Sequence, residues 1–177
     1  MCIINDLYVN YAKVSNSQFD ANSATYGGAI YTDHGAEVEG SFVVNSTIFI
    51  SNYASEFGGG LFLERGDGTN HSANFVYYST FRTNVAENSG GAIYIADQGF
   101  LNVMDSQFLN NSANAGYVIT CSNSNVNIDY TCEFSTGNYS QLFENQQNCT
   151  GNLWTHCSCS CNHCVKIICA FIFTFHC

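Results

Sequence analysis

An all-β chain folded as a parallel β-helix of about six rungs is what this sequence predicts, and three observations carry the prediction. A unit that begins at Phe recurs at Phe19, Phe49, Phe81, Phe108 and Phe134, in steps of 30, 32, 27 and 26 residues, which is the length of a solenoid rung. An Asn three residues after the Phe recurs in register in the first four of these copies, and a glycine pair beyond it in the first three. Between these marks β-branched and aromatic residues alternate with polar ones, and no run of helical length is free of Gly, Asn or Ser.

The repeat is clearest over 81–95, FRTNVAENSGGAIYI. There it sets Phe81, Asn84, Gly90 and Gly91, and the other copies set Phe19, Asn22, Gly27 and Gly28, then Phe49, Asn52, Gly58 and Gly59, then Phe108, Asn111 and Gly116. A small residue stands two before each Phe (Ser17, Thr47, Ser79, Ser106) and a Val five before (Val14, Val44, Val76, Val103). The copies lie near 12–31, 42–63, 74–95 and 101–119, within a repeat region 1–120. Residues 121–150 form a degenerate final rung, with Cys132 at the small position but Gly137 where Asn belongs. Residues 151–177 form a Cys-rich and apolar tail.

Each repeated residue has a physical task in a stacked solenoid. Strands stacked about 4.8 Å apart place Phe on Phe and Asn on Asn, so inward Phe, Val and Ile form apolar ladders and Asn amides hydrogen-bond along the axis. Small Ser, Thr and Ala relieve crowding, and the glycine pair allows a bend or a close backbone approach that a Cβ would forbid. A residue repeated in every rung serves the rung first, so the Asn column reads as structural.

Phe-x-x-Asn followed by Gly-Gly-Ala-Ile, or by the variants Gly-Gly-Gly-Leu in copy two and Gly-Tyr-Val-Ile in copy four, in register over roughly residues 12–120, resembles the repeat of the polymorphic outer membrane proteins of chlamydiae, found also in surface proteins of some protists. The resemblance implies a right-handed, pectin-lyase-like parallel β-helix displayed at a cell surface and associated with adhesion. Copies one and four depart from the other two by one residue fewer between the Ala and the Gly position, and copy four keeps only Gly116 of the pair. No membrane barrel of the kind that follows the family's repeats is seen in the sequence.

Composition narrows the function. Among 177 residues only four are basic (Lys13, Arg65, Arg82, Lys166) against 14 acidic, a formal net charge of -10, so there is no basic stripe for a phosphate backbone and nucleic acid is excluded as a partner. The N-terminus, MCIINDLYVN, does not read as a signal peptide, yet five sequons at Asn45, Asn70, Asn110, Asn138 and Asn148 suit exposed turns of a secreted glycoprotein. The expectation is a fragment of an extracellular or cell-surface protein.

Acidic residues recur after each glycine pair: Asp33, then Glu64 and Asp67, then Asp97. Stacked in register they predict a carboxylate column on one edge, though Asp and Gly are ordinary turn formers and turn preference accounts for them. Parallel β-helices also host polysaccharide lyases and hydrolases, whose sites need paired carboxylates and a cation. The best cluster for such an enzyme is Glu64, Arg65 and Asp67, with His34 and the neighbouring acids one rung away. That reading is the alternative to a non-catalytic adhesin-like module binding a cell-surface protein or carbohydrate, for which no cofactor is expected.

Nine of the ten cysteines fall at or beyond Cys121. Disulfides fit an extracellular chain, and a metal cluster from Cys157, Cys159, Cys161, His163 and Cys164 ranks second because the spacing lacks paired Cys-x-x-Cys. A non-native tail is the third reading. The apolar run Val165–Phe175 has eleven residues, short of the roughly 20 that span a bilayer as a helix, so a membrane anchor requires that the run be truncated.

Overall fold

The computed structural model describes residues 2–5, 11–34, 40–65, 73–97, 99–114, 118–129, 131–135, 143–146, 150–154 and 170–172, the side chains only within 11–33, 40–64, 73–97, 99–114, 118–129 and 131–135. The repeats wind into a β-solenoid with four walls. After β1 (Cys2–Asn5), the first turn is β2 (Tyr11–Ser15), β3 (Gln18–Asp20), β4 (Ser23–Tyr26) and β5 (Ile30–His34). The second is β6 (Ser41–Asn45), β7 (Ile48–Ile50), β8 (Tyr53–Phe57) and β9 (Leu61–Arg65). The third is β10 (Ala73–Tyr77), β11 (Thr80–Arg82), β12 (Val85–Ala86) and β13 (Ile93–Ile95), and the fourth β14 (Phe100–Met104), β15 (Gln107–Leu109), β16 (Ser112–Ala113) and β17 (Ile119–Ser122). Corresponding strands pair in parallel, with Phe19, Phe49, Phe81 and Phe108 in one register and Ala24, Ala54, Ala86 and Ala113 in another.

Four complete turns replace the six rungs expected. β18 (Asn125–Ile128), β19 (Glu133–Phe134) and β20 (Phe143–Gln146) extend three walls, while the third wall has four strands among the described residues. The amide ladder that supports that wall ends at Asn111, and the sequence offers Gly137 for the next place. β21 (Thr150–Trp154) continues the first wall, and β22 (Ala170–Ile172), part of the terminal apolar run, pairs with it antiparallel. Among the described residues no helix is long and apolar enough to cross a membrane.

The core is built from ladders. Five Phe rings stack from Phe19 to Phe134 with centroids 4.5–5.2 Å apart and interplanar angles of at most 13°. The Asn column is an amide ladder: Asn22, Asn52 and Asn84 each donate from Nδ2 to the Oδ1 of the next Asn at 2.9 Å, and from the backbone N–H to the same oxygen at 3.0–3.1 Å. The small residues before each Phe do more than relieve crowding. Thr47, Ser79 and Ser106 donate their hydroxyls to the carbonyls of Asn45, Tyr77 and Met104, and accept, at Ser79 and Ser106, the N–H of the preceding turn's counterpart at 3.2 Å. Buried polar groups placed this way are satisfied by the stacking itself.

The two glycines of each pair serve different needs. Gly90 has φ of 70°, a left-handed bend, whereas an ideal Cβ on Gly91 would lie 2.5 Å from the Ser112 carbonyl oxygen of the next turn. The shorter spacing in copy one appears as a register shift: Ala24 pairs with Ala54, but Tyr26 pairs with Phe57. Two other corners of every turn bend through one left-handed residue, such as Ser46, Tyr78 and Asp105 at the first and Ser51, Thr83 and Asn110 at the second.

The half-buried Cys132 takes the hydroxyl position of the fifth copy as a free thiol, and burial, ahead of Asp129 and Asp105, pushes its pKa up to about 11 against backbone hydrogen bonds that lower it. The fully buried Cys121 is disulfide-bonded.

Candidate binding surface

With the interior committed to ladders, chemistry is left to the outward positions. The bend at the glycine pair carries no side chain, so the last residue of the third wall and the outward residues of the fourth face each other across a corner. Tyr26 and Phe57 come from the third wall, and Tyr31, Phe62 and Tyr94 from the fourth, where they share one register. Tyr26 stacks on Phe57 at 6.2 Å and 7°, Phe62 on Tyr94 at 5.2 Å and 6°, and Tyr31 packs on Phe62 at 5.3 Å. Phe62 and Tyr94 are almost buried at 6% exposure, while Tyr26 is 40% exposed and Tyr31 and Phe57 are half-buried. The result is an aromatic cluster outside the solenoid, solvent-facing at its first-turn end.

Two carboxylates flank it. Asp33 and Glu64 are paired neighbours on β5 and β9, and the Tyr31 hydroxyl donates to Glu64 Oε2. Burial, then the hydrogen bond and charge of Glu64, then Asp33, raise the Tyr31 pKa well above the ordinary value of about 10. A phenol whose folded pKa exceeds its unfolded one contributes stability that is whole below about pH 10 and is lost as pH climbs beyond it. Urea midpoints should therefore fall with pH above about 10, and Tyr31→Phe should reduce that slope; an unchanged slope would assign the alkaline loss to other tyrosines.

Among the described residues the carboxylate column expected from the sequence is corrected to a pair, Asp33 and Glu64. Ile95 pairs with Leu63, so Ala96 stands level with Glu64, and Asp97 sits in the exposed left-handed turn beyond. Among the described residues no group of three or more His, Cys, Asp or Glu is placed to hold a metal ion. Asp67 and the side chains of His34 and Arg65 lie outside the described residues, as do Gly116, Asn70, Asn138, Asn148, Cys157, Cys159, Cys161, His163 and Cys164. Asn45 and Asn110 are described: Asn45 is half-buried with its Oδ1 accepting from Ser46 Oγ at 2.9 Å, and Asn110 is exposed at its bend.

The Chlamydia polymorphic membrane protein repeat matches residues 16–33 and 78–96, which run from the hydroxyl position of one turn, through Phe and Asn, to the glycine pair and the corner aromatics. Over these two stretches the chain is similar to that repeat. The chain is also similar to a probable outer membrane protein PmpG of Chlamydia muridarum (strain MoPn / Nigg), 32% identical over 139 residues that cover 64% of this chain. The chain spans 13% of that relative's length. No solved structure matches the chain.

Sequence reasoning missed the corner. Its signal was present as the aromatic residue directly before two glycine pairs, Tyr26 and Phe57, and as the second residue of the apolar pair after three of them, Tyr31, Phe62 and Tyr94. Strand alternation, which puts Ile30, Leu61 and Ile93 inside, turns each of those neighbours outward.

Proposed function

We propose that this chain is a non-catalytic, adhesin-like module at a cell surface, and that it holds a cell-surface protein or a glycan at the Tyr26–Tyr31 corner. The observation that carries the reading is an outward aromatic cluster with an exposed phenol and two carboxylates on a scaffold whose inward polar columns already serve the stacking. Tyr presents a rigid apolar face and a polar tip, a combination suited to recognition surfaces at low entropic cost. The relative's name as an outer membrane protein supports surface display, and the disulfide at Cys121 suits an oxidising compartment. The excess negative charge favours neutral or cationic partners over acidic glycans.

The test is binding of the purified chain to intact cells and to an array of neutral and acidic glycans, repeated with Tyr26→Ala/Tyr31→Ala. Saturable binding weakened at least about tenfold by the double substitution is expected, as for loss of an aromatic anchor. Binding that is indifferent to both tyrosines would move the site elsewhere. Release of reducing ends or unsaturated products from a polysaccharide, lost in Glu64→Ala, would replace the module with an enzyme.

A further inference from the structure

The aromatic corner is set in an acidic field. Asp33 and Glu64 are level neighbours on β5 and β9, and Glu56 directly precedes Phe57 on β8. Glu87, just beyond β12, accepts from the Tyr53 hydroxyl, and Glu56 accepts from Asn88 Nδ2 at 2.6 Å. These carboxylates stand on the third and fourth walls, which meet at the corner. The described basic side chains, Lys13 on β2 and Arg82 on β11, stand on the first and second walls instead. A cation nearing the molecule is therefore drawn to the corner side of the solenoid.

The geometry within the corner selects among cations. The Tyr26 ring, 40% exposed, is held by Tyr31 at 6.3 Å and 35°, by Phe62 at 5.4 Å and 52°, and by Phe57 stacked at 6.2 Å. The Tyr31 hydroxyl donates to Glu64 Oε2, and the charge of Asp33 and the Tyr26 phenol both act on it, so the two phenols and the carboxylate pair share one patch. With Ile30 and Leu61 inside, strand alternation turns Tyr31, Asp33 and Glu64 outward, and the patch opens sideways rather than along the stack. A guanidinium suits it better than an ammonium does. It is planar and stacks on a ring face, and its fork of N–H groups reaches two carboxylates at once, whereas an ammonium is a compact and strongly hydrated point charge.

We propose that the corner takes an arginine side chain of a partner protein, with the guanidinium on the exposed ring of Tyr26 and its N–H groups on Asp33 and Glu64. This inference rests on the corner being the binding surface and adds what is bound there. Charge complementarity decides for a protein over a glycan: a neutral sugar gains nothing from the charge of the carboxylates, and an acidic one is repelled by it.

The probe is acetyl-Gly-Arg-Gly-amide, titrated into the full chain carrying isotope-labelled tyrosine and followed by aromatic NMR shifts. Saturable shifts of Tyr26 and Tyr31 are expected. Affinity should be about threefold or more weaker for the lysine peptide, and about tenfold or more weaker for the citrulline peptide, which keeps the planar hydrogen-bonding shape without the charge. Asp33→Asn and Tyr26→Ala should each weaken arginine binding about fivefold or more. Glu133→Gln, which removes the same charge from the second wall, should leave it unchanged. The peptide changes leave the protein untouched, so the test holds even if a variant fails to fold. Citrulline or lysine binding as tightly as arginine overturns the proposal, and so do equal losses in Asp33→Asn and Glu133→Gln, which would mean that only overall charge acts. Absence of saturable shifts at both tyrosines overturns it as well. In each of these cases, cell or glycan binding that is lost in Tyr26→Ala/Tyr31→Ala keeps the corner as the binding surface, whereas cell binding indifferent to both tyrosines removes that wider reading.

Discussion

Phe81→Ala is expected to lower the free energy of unfolding by about 3–5 kcal/mol. The Phe81 ring is fully buried between two others, with centroids 4.5 Å from Phe49 and 5.1 Å from Phe108 and interplanar angles of 3° and 6°. Truncation removes both ring contacts and leaves a cavity that cannot close, because the parallel strands on each side are held at their spacing by the backbone ladder. Phe134→Ala should cost less. That ring stacks on Phe108 alone in the chain of five and is half-buried in a two-residue strand. Urea unfolding of the two variants gives the comparison, and equal small losses would contradict the stacked register.

Asn84→Leu is expected to cost about 3–6 kcal/mol, although it keeps the branching and the number of heavy atoms of the side chain. The Asn84 amide accepts the backbone N–H and Nδ2 of Asn52 at 3.1 and 2.9 Å, and donates to the Phe49 carbonyl at 3.0 Å and to Asn111 Oδ1 at 2.9 Å. Leucine strands two buried donors and one buried carbonyl where water does not reach, at about 1–3 kcal/mol for each group. Asn111 Oδ1 keeps the Asn84 backbone N–H and is spared. Asn22→Leu, at the partly exposed end of the same ladder, should cost a fraction as much because solvent can replace what is lost. Matching losses at the two positions would mean that the column acts through something other than buried amide bonding.

The two substitutions probe what the sequence made legible. Phe and Asn recur at rung length in register, and a solenoid brings residues one rung apart into contact, so the ladder partners are legible in the sequence itself. The glycine pair was legible as a bend, and the missing residue of copy one as a departure from the pattern, though its outcome as a register shift between Ala24 and Tyr26 was not. The expected rung count was too high, because a Phe still marks the fifth copy while the Asn that supports the third wall has become Gly137.

The candidate site was much less legible. The acidic residues stand out because carboxylates carry chemistry, yet their offsets from the glycine pair leave Ala96 beside Glu64, and among the described residues the column ends at two. The aromatic corner went unnoticed because its members lie on two walls and meet only when the chain bends between them. A Ser or Thr two before the Phe in four copies does not by itself reveal a hydroxyl ladder either, since the bond from Ser79 N–H to Ser106 Oγ spans 27 residues.

What the sequence alone determined is therefore the repeat, its all-β class and the register in which the turns stack, because each of these follows from identical residues recurring at one spacing. Only the tertiary structure decided which side chains share the outer corner, which carboxylates become neighbours and where the ladders stop. Those outcomes depend on the angle of each bend and on contacts between walls, and a one-dimensional period carries neither.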